Sequence, residues 1–211
     1  MATPESIRDD FLLSITHIRQ AFLKVSGNVG RNGIFTFPDV HKLSEGLFIS
    51  ALTYWESVCR DLLILELATD TSGILKKEIS KFRTKGAALR LAEKILSHPD
   101  HPEKFIEWSS FSSIESRANI FLGANHRFKL TQATNDDIAK LKRIRNAIAH
   151  KSDKAWGSFI KLISASPFGV TSSQRKGITP GRFIYSNQWN GNTVMERTLI
   201  LLENAVRELV P

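Results

Sequence analysis

The stretch "LFISALTYWESVCRDLLILEL" (residues 47–67) decides the fold, because its apolar residues recur every three or four positions. That spacing lines them along one side of an α-helix, whereas strict alternation would indicate a strand. The same apolar stripe starts earlier, at Val40 and Leu43, so we predict one long helix over about 39–68. Glu66 interrupts the stretch, which is also too short to span a bilayer, so we expect a buried helix of a globular protein.

Helical spacing continues on both sides of this stretch and predicts a mainly α protein, an antiparallel helical bundle formed by a single domain over 1–211. The residues between 169 and 192 differ. They are β-branched and aromatic, broken by glycine and proline, and predict a small β-hairpin or a long ordered loop. The other helices are predicted near 4–25, 73–82, 86–97, 102–121, 135–151 and 193–209, with a further helix or turn following 151.

Composition agrees with a folded chain of one domain. The protein has 211 residues, of which 42% are apolar and 24% charged, enough to bury a core without metals or disulfides. Its one cysteine, Cys59, excludes an internal disulfide and is expected to be an inert core residue. The polar N-terminus carries no apolar signal core, so we expect a cytoplasmic protein without a membrane partner.

The charge is unevenly distributed along the chain. Residues 1–70 hold 6 Lys and Arg against 9 Asp and Glu, whereas residues 71–211 hold 23 against 12. The formal net charge of +8 therefore comes entirely from the last two thirds of the chain. A positive field of this kind attracts polyanions and makes RNA a candidate partner, although it also serves general solubility.

A second stretch, "LKRIRNAIAHKSDKAW" (141–156), carries the candidate chemistry. Its helix is predicted to begin with a capping box formed by Thr134 and Asp137. On a helical wheel, Asn146 and His150 are four residues apart and share a face away from the apolar stripe. Arg145 falls at the edge of that stripe, where a guanidinium needs a carboxylate partner or a route to solvent. The apolar stripe itself is formed by Ile138, Leu141, Ile144 and Ile148.

The order Arg145, Asn146, three residues, His150 resembles the R-N-x-x-x-H signature of the HEPN superfamily. The long helix at 47–67 also resembles an early helix of HEPN proteins, and the branch that looks most similar is the RiboL-PSP-HEPN or MAE-type group. The resemblance covers about 40–165 and is looser toward the C-terminus. Ser152 stands where some HEPN toxins carry a tyrosine, which argues against regulation by modification of that tyrosine.

The resemblance implies a metal-independent endoribonuclease that works as a homodimer without a cofactor. Carried over by position, Arg145, Asn146 and His150 are the catalytic residues, and Glu56 is the acidic residue that supports the motif arginine. A toxin or antiviral role, with an antitoxin or another regulatory protein as partner, is implied by the resemblance alone.

The residue types suit RNA cleavage. Histidine exchanges protons near neutral pH, and arginine offers a fixed charge with donors that match phosphate oxygens. One histidine cannot easily serve both sides of an in-line displacement, so a two-fold dimer that pairs two motifs is expected. Further RNA contacts are predicted from basic residues near the motif and in the loop 174–182, namely Arg143, Lys151, Lys154, Arg175, Lys176 and Arg182.

Two other functions fit the same residues: a non-catalytic HEPN module that binds RNA or nucleotides, and a helical protein-interaction domain. His150 could simply place a cation at a helix C-terminus. Trp156 is expected in the core, with dimer packing or base stacking as alternatives. No metal site is expected, because "HPDHP" (98–102) has no cysteine nearby and no HExxH pattern exists.

Overall fold

The computed structural model describes residues 2–69, 84–96 and 108–211, and in these the protein is mainly α, as predicted. Eight helices and one small antiparallel hairpin are present in this part of the chain. The helices are α1 (Pro4–Ser26), α2 (Phe37–Thr69), α3 (Lys85–Leu96), α4 (Phe111–Leu122), α5 (Gln132–Ala149), α6 (Asp153–Ser164), α7 (Pro180–Ser186) and α8 (Val194–Leu209). The predicted helix at 73–82 and the start of the one at 102–121 lie outside the described residues.

Side-chain caps explain where several helices begin. The Thr3 hydroxyl accepts a hydrogen bond from the Ser6 backbone N–H at 3.1 Å, so α1 starts at Pro4 as predicted. Thr36 and Asp39 exchange bonds at the start of α2, where the Thr36 N–H donates to Asp39 Oδ2 at 2.9 Å. Thr193 is bonded to the side chain of a glutamate three residues later in the same way and caps α8.

The predicted capping box of the motif helix is wrong by one turn. Thr131 is the cap, since its hydroxyl accepts from the Thr134 N–H at 3.3 Å, and α5 starts at Gln132. Thr134 lies inside the helix, is 8% exposed and donates to Glu208 Oε1 at 2.9 Å. Because "TQAT" (131–134) offers two threonines three residues apart, and either could cap a helix, spacing alone could not choose between them.

The long helix buries most of its predicted stripe. Val40 and Leu62 are fully buried and Trp55 is 2% exposed. Leu43 departs from the prediction, since it is 39% exposed while its neighbour Ser44 is fully buried. Leu43 and Ser44 lie in the second turn of α2, where the apolar spacing was a weaker guide to burial than in the middle of the helix.

The segment 169–192 contains a helix that the sequence pattern did not reveal. After a series of turns, Thr179 caps α7 by accepting from the Arg182 N–H at 3.1 Å. The predicted hairpin is present but short, with β1 (Gln188–Trp189) paired antiparallel to β2 (Asn192–Thr193). Its two-residue turn is Asn190-Gly191, both with positive φ (52° and 83°), as a tight hairpin turn requires.

The chain divides into two compact units. The first comprises Met1–Phe11, Trp55–Asn135 and Ala205–Pro211, and the second comprises Leu12–Tyr54 and Asp136–Asn204. The contacts within each unit do not test whether residues 1–211 form a single domain, so this stays a prediction.

Aromatic side chains pack against one another in both units. In the first unit, Trp55 packs against Phe11 and Phe111 with ring centroids 6.3 and 6.1 Å apart. In the second, Phe168 contacts Phe183 at 5.1 Å and Trp189 at 5.3 Å. Edge-to-face and tilted pairs of this kind add to the stabilisation that burial provides.

Candidate functional site

The R-N-x-x-x-H motif spans the end of helix α5 and does not lie wholly within it. The helix ends at Ala149, one residue before His150, whereas the sequence predicted it to continue to 151. The His150 backbone N–H still donates to the Asn146 carbonyl at 2.9 Å, which completes the last helical turn. His150 therefore leaves the helix at its C-terminal cap, and its side chain is exposed.

Arg145 has a partner, as its position at the edge of the apolar stripe requires. Its Nη1 donates to Asn146 Oδ1 at 3.2 Å, so the first two residues of the motif are joined directly. Both side chains are half-buried, while Leu141 and Ile144 beside them are fully buried. Glu56, the predicted carboxylate partner, is half-buried on α2 in the first unit, and its contact with Arg145 stays a prediction.

A cleft of about 330 Å³ opens beside His150 in the second unit. We call it the His150 cleft. Within the described residues, neither ring nitrogen of His150 has a hydrogen-bond partner, so the imidazole is available to a ligand. The cleft is lined by Lys42, Glu45, Ala147, Ile148, His150, Lys151, Ser152, Asp153, Trp156, Thr179 and Pro180.

Local hydrogen bonds fix one wall of the His150 cleft. The Ser152 N–H donates to the His150 carbonyl at 2.7 Å, and the Ser152 hydroxyl caps α6 by accepting from the Ala155 N–H at 3.3 Å. The Trp156 N–H then donates to the Ser152 carbonyl at 2.9 Å. The three-residue link from α5 to α6 is therefore held from both helices, and it places His150 and Trp156 along the same cleft.

The opposite wall depends on a close contact between α2 and the start of α7. The Gly181 N–H donates to Glu45 Oε1 at 3.0 Å, and Glu45 Oε2 accepts from Lys42 Nζ at 2.6 Å. A Cβ atom at position 181 would lie 2.2 Å from the His41 carbonyl oxygen, so only glycine fits there. This contact brings Thr179 and Pro180 to the cleft from far along the chain.

The charges of the cleft lining balance. Lys42 and Lys151 are offset by Glu45 and Asp153, and Arg145 is not among the lining residues. A cleft with this lining suits a group of low net charge better than a bare phosphate.

The basic residues predicted to contact RNA fall into two classes. Arg143 is committed to the fold, since it donates to the Ser158 hydroxyl at 3.0 Å and to the Ser158 carbonyl at 2.6 Å. Arg175 is also engaged: it donates to Val170 and Ser172 in its own loop and to Ser164 at the end of α6. The remaining four are exposed, namely Lys151, Lys154, Lys176 and Arg182.

Trp156 corrects one expectation, because it is 42% exposed and lines the cleft, whereas the sequence favoured the core. Lys42, Glu45, Thr179 and Pro180 were missed as site residues. The sequence gives little indication of them, because they lie far from His150 along the chain and none belongs to a motif.

The other histidines lie in different surroundings. Burial, with a smaller effect of Arg182, lowers the pKa of His41, which is half-buried on α2. Burial, followed by Lys129, lowers the pKa of His126, which is 7% exposed and bonded through Nε2 to Asn119 Oδ1 at 3.0 Å. "HPDHP" lies outside the described residues, and in the part of the chain that is described no three His, Cys, Asp or Glu side chains form a metal-binding group.

Two further features bear on function. Cys59 is fully buried, as predicted for a core residue, and burial together with the nearby Glu56 raises the pKa of its thiol. A larger cleft of about 540 Å³ lies in the first unit, between α2 and α3, and contains none of the predicted site residues.

No protein-family model, curated protein or solved structure matches this chain. Its helices within the described ranges also include none that combines the length and the apolar character needed to cross a bilayer.

Proposed function

We propose that the protein is a cytoplasmic endoribonuclease of HEPN type that cleaves RNA without a metal, as a homodimer, in toxin or antiviral defence. One observation supports this most directly: the imidazole of His150, exposed and unpaired within the described residues, lies beside a cleft and one helical turn after the bonded pair Arg145–Asn146. The class, the dimer and the biological role rest on the motif's resemblance to HEPN nucleases.

In the proposed reaction, the ribose 2′-oxygen forms a bond to the adjacent phosphorus and the bond to the 5′-oxygen breaks. His150 accepts the 2′-hydroxyl proton or donates a proton to the leaving 5′-oxygen. Arg145 stabilises the negative charge of the phosphorane, and Asn146 orients its guanidinium through the 3.2 Å hydrogen bond. The products are a 2′,3′-cyclic phosphate and a 5′-hydroxyl.

A second subunit is part of this proposal, because each chain supplies one His150 and the reaction needs a base and an acid on opposite sides of the phosphorus. A two-fold pair of α5 helices would supply both. It would also bring two Arg145 side chains to the phosphate, where the charge-balanced His150 cleft of one chain offers little positive charge.

The second candidate function is binding of RNA without cleavage. It is favoured by the position of Arg145, which bonds its own neighbour and lies outside the lining of the His150 cleft. An arginine held in this way could grip a phosphate while contributing nothing to a transition state.

The deciding experiment incubates the purified protein with single-stranded RNA in EDTA. Cleavage to cyclic-phosphate ends that is absent from His150→Ala protein purified in the same way supports the metal-independent nuclease. The variant is the control because a contaminating metal-independent ribonuclease leaves the same ends. Binding without cleavage supports the second candidate. If the protein neither binds nor cleaves RNA, the nuclease and the RNA-binding module are both contradicted, and a protein-interaction domain is the remaining function.

The shared site is tested by mixing wild-type chains with an excess of His150→Ala chains. The excess variant should lower the rate of cleavage per wild-type chain, because a mixed dimer carries one His150 and the reaction needs a base and an acid from two. An excess of Lys24→Ala chains is the control and should leave the rate unchanged, because Lys24 is exposed and lies outside the motif and the predicted RNA contacts. Full activity in a fraction that sizes as a monomer would contradict the dimeric mechanism.

A further inference from the structure

Trp156 is an exposed aromatic residue that lines the His150 cleft and packs on a buried ring. Its ring packs on Phe159 with centroids 5.5 Å apart, and Phe159 is fully buried against Phe183 at 5.5 Å in edge-to-face contact. The buried rings support the indole, while 42% of the residue stays accessible. A flat aromatic surface that is fixed beneath and open above loses little entropy when a ligand stacks on it.

The rest of the cleft suits a flat neutral group with polar edges. Its apolar lining comes from Ala147, Ile148 and Pro180, and its lysines are matched by the carboxylates of Glu45 and Asp153. Glu45 already accepts from Gly181 and Lys42, whereas Asp153 is exposed, and its carboxylate oxygens can accept a hydrogen bond from the amino group of a nucleobase. The volume of about 330 Å³ is near the lower end for small-molecule sites, which is enough for one base but not for a duplex.

We infer that the His150 cleft binds one unpaired nucleobase of single-stranded RNA, stacked on Trp156, and thereby places the adjacent phosphate at the motif. This inference rests on the proposed function for its ligand, since it specifies the substrate of the same site. Stacking accepts any base, because every base has a π-face. Duplex RNA is excluded, because its bases are already stacked and paired and cannot enter a cleft.

Binding can be measured apart from cleavage with a 2′-O-methyl oligonucleotide, which lacks the attacking hydroxyl. Its dissociation constant is measured by fluorescence anisotropy for the wild type, Trp156→Ala, Trp156→Phe and Tyr54→Ala. Tyr54 is a matched control, because it is 45% exposed, belongs to the same unit and does not line the cleft.

Trp156→Ala should weaken binding about 5- to 150-fold, which corresponds to the ~1–3 kcal/mol of one stacked base. Trp156→Phe keeps an aromatic face and should stay within about threefold of the wild type, and Tyr54→Ala should match the wild type. A duplex of the same sequence should bind more weakly than the single strand and should not respond to Trp156→Ala.

An abasic scan of the oligonucleotide tests the same point on the wild-type protein, whether or not the alanine variant folds. One abasic position should weaken binding to the wild type and have no added effect in Trp156→Ala. Equal affinity of Trp156→Ala and wild type, no binding by the wild type, or a scan without a sensitive position would overturn the inference. So would loss of the dimer in Trp156→Ala on sizing, since Trp156 would then be an interface residue.

The outcomes separate this inference from the proposed nuclease. A protein that binds the 2′-O-methyl strand through Trp156 but leaves the matching RNA intact contradicts the nuclease and supports base stacking. A protein that cleaves RNA while Trp156→Ala binds like the wild type contradicts base stacking and supports the nuclease.

Discussion

Two histidines with similar neighbours in sequence end in opposite environments. His126 and His150 each follow a helix and each precede a basic residue, in "NHRFK" and "AHKSDK". His126 is 7% exposed and bonded to Asn119, whereas His150 is exposed, unpaired within the described chain and part of a cleft. Residue type and local charge therefore do not define a site; burial and hydrogen-bond pairing decide which histidine can meet a ligand.

The basic neighbours differ in the same way. Arg127, next to His126, forms an ion pair with Glu66 and donates to the Leu209 carbonyl at 3.3 Å. Lys151, next to His150, is exposed and lines the cleft. Charge near His126 is used inside the first unit, whereas charge near His150 is open to solvent.

The largest expected effect is on catalysis. His150→Ala should lower the rate of RNA cleavage about 10²–10⁴-fold, because a positioned general acid or base contributes about that factor. His126→Ala is the matched control and should cleave at the wild-type rate per folded molecule, measured at a temperature where both variants are folded. Equal rates for His150→Ala and wild type would refute the catalytic role.

The next largest effect is on stability, and here His126 should matter more than His150. His126→Ala should lower the free energy of unfolding by about 1–3 kcal/mol, because it removes the bond to Asn119 and buried contact with Phe128. His150→Ala should stay within about 0.5 kcal/mol, as exposed substitutions usually do. Thermal and urea unfolding measure both, and comparable losses would show that the two environments do not differ.

A smaller effect distinguishes the two basic residues that flank the motif. Arg143→Ala should cost about 1–2 kcal/mol, because it removes two hydrogen bonds to Ser158 that join α5 to α6. Lys151→Ala should change stability by less than about 0.5 kcal/mol and should instead weaken RNA binding in a salt-dependent way. A stable Arg143→Ala protein that loses RNA binding would assign Arg143 to the RNA surface.

The smallest effect is on the pH dependence of stability. Because the pKa of His126 is lowered in the folded state, the unfolded chain binds its proton first as the pH falls. The contribution of the neutral His126 imidazole to the free energy of unfolding is therefore fully present above about pH 6.5. It is lost as the pH falls through the lowered pKa of the folded state. His126→Gln should make the melting temperature depend less steeply on pH below pH 6.5. Asn119→Ala keeps the imidazole and should keep most of this pH dependence. An unchanged slope in His126→Gln would contradict this account.

Much of the fold could be predicted because it depends on local periodicity. α1, α2 and α8 begin within two residues of their predicted positions, since threonine caps and apolar stripes are local signals. The start of α5 was misplaced where two threonines compete, and α7 was missed because seven residues are too few to show a period.

The candidate site divides between sequence and tertiary structure. The sequence by itself determined the helical class, the hairpin turn at Asn190-Gly191 and the order Arg145, Asn146, His150, because each depends on residues a few positions apart. Only the tertiary structure decided that His150 faces a cleft, that Trp156 is exposed and that Glu45 meets Gly181. These depend on packing between residues far apart in the chain, and burial is a property of the packed fold that no local pattern contains.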